Sequence, residues 1–232
     1  MKAKTIAIAS SPLVLAAALA SAGEPARALE PVVLRYTIDV GVDGKLNRLD
    51  AAGELPEPLA SWLRTRLADY RFLPAKMDGV PQPATTTLYV KLGPVVDATG
   101  KPGYRIDTVQ TGPDLLRGRL PERQPRFQGA AYFVITYDAA GKVTKATIDE
   151  DNDVVGNNQF RKWGLDLART FRVRPETIAG VGVPGVARVP IVFCMGEPCP
   201  TLAKPRPEYG DDLNGAILAR SVLRTEAPGE GG

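Results

Sequence analysis

Apolar and polar residues alternate along two well-separated stretches of the chain, and a glycine interrupts each alternation. In "VVLRYTIDVGVDGKLNRL" the apolar positions are Leu34, Tyr36, Ile38 and Val40, then Asp43-Gly44 intervenes, then Leu46 and Leu49 follow. In "GAAYFVITYDAAGKVTKATI" they are Phe133, Ile135 and Tyr137, then Ala140-Gly141, then Val143, Ala146 and Ile148. Alternation broken by a short glycine-bearing turn predicts a β-hairpin in each stretch. A helical period follows both. "PEPLASWLRTRLADYRF" places Leu59, Trp62, Leu63 and Leu67 on one face, and "NNQFRKWGLDLARTFRV" does the same with Phe160, Trp163, Leu167 and Phe171.

Each helical pattern runs into an aromatic-Arg-apolar string that ends at a proline: Tyr70-Arg71-Phe72-Leu73-Pro74-Ala75 and Phe171-Arg172-Val173-Arg174-Pro175-Glu176. Proline stops the helix, the two apolar side chains pack on the sheet, and the arginine points to solvent. Gly79-Val80-Pro81 or Gly182-Val183-Pro184 then leads to a last alternating strand, "TTTLYVKL" or "VPIVFCM". The tryptophans are 101 apart (163 − 62), as are the prolines (175 − 74), whereas the hairpin glycines are 97 apart (141 − 44). A short acidic insertion near Asp149–Asp153 accounts for the difference. The expected fold is α+β: two tandem small modules, each an antiparallel sheet with one packed helix in the order β-β-α-β. Their expected bounds are residues 32–93 and 125–197. A Pro/Gly-rich linker at 94–124, with one short strand around Tyr104 to Val109, joins them, and a tail occupies 198–232. Within that tail, Leu213, Ile217, Leu218 and Val222 have helical spacing behind Asp211-Asp212, which predicts a short helix.

The amino terminus changes the picture of where the modules work. Lys2 and Lys4 precede an apolar run from Ile6 to Ala20 and small residues up to Ala22, the order of a secretory signal over residues 1–22, with a leader at 23–31. A second small-residue cleavage site ends at Ala28, and the alternative is an uncleaved anchor, for which Ser10, Ser11 and Pro12 break the run too early. A periplasmic location follows from this reading. Without Lys2 and Lys4 the chain carries 27 basic and 26 acidic residues, too even a balance for nucleic acid. Cys194 and Cys199 in "FCMGEPCP" can close a tight disulfide in an oxidising compartment; free thiols or a two-ligand metal site are the alternatives. With no histidine in the chain, nitrogen and sulfur ligation of a metal cannot be completed, and no cofactor motif is present. Catalysis would have to rest on carboxylates, lysine or hydroxyls, and the dense acidic run Asp149, Glu150, Asp151 and Asp153 lacks calcium-loop spacing. No catalytic residue is expected.

The hairpin with a glycine turn, the aromatic-Arg-Phe-x-Pro-Ala string, the Gly-x-Pro turn and the closing strand resemble the C-terminal domain of TonB, in two tandem copies. Tyr70 to Ala75 fits the string, while Phe171 to Glu176 departs from it at Val173 and Glu176. The resemblance implies a periplasmic protein-binding module that takes an extended peptide or envelope protein as an added strand on the edge after the proline motif. By position the candidate partner-binding residues are Thr85, Thr87, Tyr89 and Lys91 in one copy and Arg188, Val189 and Ile191 in the other, with Arg71 and Arg172 beside the motif. The alternative is a structural or accessory envelope protein whose edges pair internally or in a homodimer. An energy transducer for outer-membrane transport is the least favoured, because the chain has neither the family's anchor histidine nor a Pro-rich spacer after its signal.

Overall fold

The computed structural model describes residues 29–116, 118, 127–149, 154–202, 218–219 and 221–226. The expected signal, the acidic residues Glu150, Asp151 and Asp153, and Asp211 to Ile217 lie outside the described residues. The protein is α+β and rich in sheet, with two helices among the described residues.

In the N-terminal half, β1 (Val32–Val40) and β2 (Leu46–Ala51) form the first hairpin, and α1 (Glu57–Ala68) follows. Three short strands come next, β3 (Arg71–Leu73), β4 (Ala75–Met77) and β5 (Val80–Gln82), before the long β6 (Ala84–Val96). β6 turns back through Asp97–Gly100 into β7 (Pro102–Gly112), and β8 (Asp114–Leu116) ends this half. The C-terminal half repeats the order: β9 (Gly129–Tyr137) and β10 (Val143–Ile148), α2 (Asn158–Thr170), then β11 (Arg172–Arg174), β12 (Thr177–Ile178) and β13 (Val181–Gly182), then β14 (Gly185–Phe193). Two short strands close the chain, β15 (Leu218–Ala219) and β16 (Arg224–Glu226). The path from helix to closing strand is thus longer than a simple β-β-α-β unit, because each proline is followed by a tight two-strand turn.

The larger sheet runs β13-β12-β6-β1-β2, with β7 also on β6; the smaller one runs β10-β9-β14-β15. The stretch expected to be a linker therefore supplies a full strand. β7 pairs with β6 from Thr87↔Gly112 to Val96↔Pro102. The expected C-terminal helix is not present where the chain is described: residues 218–219 and 224–226 are extended, each paired to another strand. Main-chain pairing to β14 and β3 outweighs a helical spacing of apolar residues whose helix carries Gly215.

Each half has its own core. Leu63 and Leu67 of α1 bury against Leu34, Tyr36, Ile38, Leu88, Val90 and Leu92, with Leu59 and Trp62 half-buried beside them. In the other half Phe160 and Leu167 of α2 bury against Phe133, Ile135, Val189 and Ile191, with Trp163 half-buried. Each such side chain contributes about 1.5–3 kcal/mol when fully buried. The cores also borrow from each other. Leu115 of β8 packs on the C-terminal core, while Ile178 of β12 and the buried Leu223 pack on the N-terminal one.

The recurring glycine and the recurring string touch. Gly44 and Gly141 both have φ of 75°. The Gly44 carbonyl accepts from Phe72 N at 3.0 Å, and the Gly141 carbonyl from Val173 N at 2.9 Å. Each hairpin turn is thereby fastened to the residue after the arginine, so the two patterns recur as one contact.

Candidate functional site

The residues singled out by sequence lie on strand edges, so the pairing of each edge decides what they can do. β6 has a partner on both flanks. On one side β1 pairs along it from Val32↔Leu92 to Val40↔Ala84. On the other, β7 covers Thr87 to Val96 and β12 covers Ala84 and Thr85. Among the described residues, the candidate stretch Thr85 to Leu92 keeps no ladder donor for an incoming peptide. Nor do β6 and β14 pair with each other.

The side chains of Thr85, Thr87, Tyr89 and Lys91 share the sheet face away from α1, by the alternation of a strand. Thr85 Oγ1 donates to Asp39 Oδ1 at 2.7 Å. Thr87 and Tyr89 are buried. The Tyr89 hydroxyl donates to the Pro113 carbonyl at 2.9 Å and lies 3.3 Å from Asp114 Oδ1. Its phenol is pushed well above the usual tyrosine range, chiefly by burial and then by the Asp114 charge. Around Asp114 gather Arg35 Nη1 at 3.3 Å and Arg174 Nη1 at 4.0 Å, one arginine from each half. This face is a seam between the halves, and only Lys91 of the four candidates is half-exposed without such a role.

In β14, Val189 and Ile191 are core residues. Arg188 is buried too, with its Nε 2.5 Å from Asp149 Oδ2; the side chains are 10% and 4% exposed. An arginine expected to greet a partner instead neutralises the first carboxylate of the acidic run. β14 is paired to β9 along its length and to β15 only at Ala187 and Arg188. The Tyr132 carbonyl bonds to Asp149 N on the β10 side. Tyr132 and its partner Pro190 therefore form a non-hydrogen-bonded pair, and even-numbered residues of β14 aim their main chain outward. Pro190 has no amide there, so beyond Arg188 only Val192 offers an outward donor.

Arg71 and Arg172 occupy a different place. Both are exposed, and both lie in the short strand that follows a helix. Arg71 Nη1 donates to the carbonyls of Ala68 and Tyr70 at 3.2 and 3.1 Å, where a cation suits the negative end of α1. Their strands are bonded on one flank to the hairpin glycine. The other flank accepts an added segment: β11 takes β8, with Val173↔Leu115, and β3 takes β16, with Phe72↔Thr225.

Glu176, the residue at which the second string departs from alanine, is not among the residues that sequence marks as functional. It is 3% exposed. Its Oε1 accepts from Thr86 Oγ1 and from Ser221 Oγ, both at 2.6 Å, and its Oε2 accepts from Val222 N at 2.9 Å. One carboxylate therefore joins β6 of the N-terminal half, the string of the C-terminal half and the chain's last described segment. The signal for it was the mismatch itself: an acidic residue where the first string has alanine. Burial pushes its carboxyl up, and the three hydrogen bonds pull it part of the way back. Nearby, the Tyr137 phenol is pushed up to about 12 by burial first and by the Glu176 charge second.

A carboxyl whose folded pKa exceeds its unfolded one holds its proton more tightly when folded, so stability falls as pH rises from the ordinary glutamate range through the folded pKa. Glu176→Gln removes that slope. Urea unfolding from pH 4 to pH 7 should therefore show the wild type losing stability relative to Glu176→Gln as pH rises; a difference that is flat or of opposite slope contradicts the account.

Cys194 and Cys199 are bonded, with a Cα–Cα distance of 5.2 Å. The short loop they close ends β14. Among the described residues no group of three or more Cys, Asp or Glu could hold a metal ion, and no helix is long and apolar enough to cross a membrane. Two buried polar atoms have no partner among the described residues, Tyr36 Oη and Trp163 Nε1, but they belong to different cores and do not converge. Comparison with family models, with curated proteins and with solved structures gave no match to this chain.

Proposed function

We propose that this chain is an exported accessory protein of the cell envelope, made of two tandem modules of the TonB C-terminal kind, in which segments of the same chain occupy the outer flank of β6 and part of that of β14. In this reading it performs no catalysis and carries no cofactor. Duplication is supported by the paired contacts of Gly44 with Phe72 and Gly141 with Val173. It is supported again by matching turns after the prolines, Asp78-Gly79 with φ of 51° and 80° and Ala179-Gly180 with 51° and 79°.

The observation that carries the reading is the pairing of β6 on both flanks. An edge receptor would keep that strand free; a fused pair of modules consumes it. Export is tested by expressing the full chain, fractionating the cells and measuring the mass of the soluble product. The expected result is a periplasmic protein beginning at Gly23 or a few residues later. A cytoplasmic protein that retains Met1 to Ala22 would overturn export.

A second reading, reception of an extended envelope peptide, is favoured by one observation: β14 beyond Arg188 has no outer partner among the described residues. Pro190 leaves that edge a single donor, which makes it the weaker account.

A further inference from the structure

The short strand formed by the aromatic-Arg-apolar string is used in the same way in both halves. Its inner flank is fastened to the hairpin glycine, and its outer flank is filled by an antiparallel segment from elsewhere in the chain. In β11 that segment is Asp114–Leu116, reached directly from β7. In β3 it is Arg224–Glu226, near the end of the chain. The residue just before each added strand is held by its carbonyl: Pro113 accepts from Tyr89 Oη at 2.9 Å, and Leu223 accepts from Thr111 Oγ1 at 2.8 Å.

The segment on β3 is held as a recognised peptide would be. Ser221 Oγ and Val222 N both bond to the Glu176 carboxylate, Leu223 fills the N-terminal core at 1% exposure, and three residues then pair with β3 as a two-stranded ladder. Polar groups fix its register, one apolar side chain anchors it, and main-chain pairing extends it, which is the chemistry of strand-addition recognition. We propose that the outer edge of β3, together with Glu176 and Thr111, is a binding site for an extended peptide with a hydroxyl residue two positions before a leucine. The chain's own residues 221–226 are its resident ligand, and a partner segment of the same pattern exchanges with them. This edge is distinct from β6, and the proposal requires neither export nor an envelope setting.

Exchange is read with the full chain and a fluorescent synthetic peptide covering residues 218–227, by fluorescence anisotropy. A tethered ligand competes at a high effective concentration, so the wild type binds the free peptide weakly. Leu223→Asp in the full chain spoils the tethered anchor and should tighten binding of the peptide by at least about tenfold. A peptide carrying the same Leu-to-Asp change should not bind, and adding Glu176→Ala to the protein should abolish the gain. Because Leu223 also fills the core, a second full-length variant, Arg224→Pro with Glu226→Pro, leaves the core side chains intact. It removes the two tail amides that face β3, since Phe72 bonds toward Gly44 and its pair with Thr225 is the non-bonded one. It too should bind the peptide at least about tenfold more tightly than wild type. The proposal is overturned if neither variant gains affinity, if the altered peptide binds as well as the natural one, or if both variants unfold, which would make the segment an integral part of the core.

Discussion

Asp149→Ala should destabilise the protein by about 3–5 kcal/mol, because it breaks a charged contact between two side chains that are almost wholly buried. The pair is nearly withdrawn from water, so neither charge can be hydrated when the other is removed. The cost includes desolvation that the lost contact no longer offsets, so it exceeds the net worth of the pair. Asp149→Leu combined with Arg188→Met should therefore recover most of the loss, since an apolar pair of similar volume needs no partner. Urea unfolding of the three proteins checks both parts. A single substitution costing under about 1 kcal/mol would place Arg188 in contact with water, as an exposed ion pair contributes no more than that.

Gly141→Ala should be almost as damaging, at about 3 kcal/mol or more, through strain and collision together. Its φ of 75° lies in the left-handed region, and an added Cβ would stand 1.7 Å from the Val173 carbonyl oxygen. The backbone would have to move, and the hydrogen bond from Val173 N to the Gly141 carbonyl would go with it. Gly180 is the internal control. It has nearly the same φ, 79°, but nothing lies within 4 Å of its would-be Cβ. Gly180→Ala should carry only the conformational cost of roughly 1–2 kcal/mol. Equal effects at the two positions would mean that the turn does not rest on the string.

Gly141 was legible in the sequence because a turn is a local pattern, whereas the second turn, expected at Gly182, bends at Gly180. Hairpin alternation and the helix faces of Leu63, Leu67, Phe160 and Leu167 are local too, and the side chains concerned lie in the two cores. β7 was legible only in part. Its pairing with β6 slips between Lys91 and Leu92, so the buried-facing positions run Tyr104, Ile106 and then Val109, out of step with a strict alternation. Its turn was not singled out: Asp97 Oδ1 accepts from the amides of Thr99 and Lys101, on either side of Gly100 at φ 82°. Nor was the seam between the halves. Glu176 meets Thr86 across 90 residues and Ser221 across 45, and within the C-terminal half Arg188 meets Asp149 across 39. No local period encodes a contact of that range. The candidate site suffered accordingly, because whether a strand is an edge depends on which distant segment lies beside it.

Closure of β6 by the chain itself is what separates an accessory protein from a strand receptor, and amide hydrogen exchange on the full-length protein reads it residue by residue. In an antiparallel ladder with partners on both flanks every main-chain amide has an acceptor, so the amides of Thr85 to Leu92 should exchange only through global unfolding, as slowly as those of β1. If alternate amides of this stretch exchange at the rate of exposed loops while β1 stays protected, β6 is an open edge, and reception of an extended peptide on β6 replaces self-closure as the function of this strand.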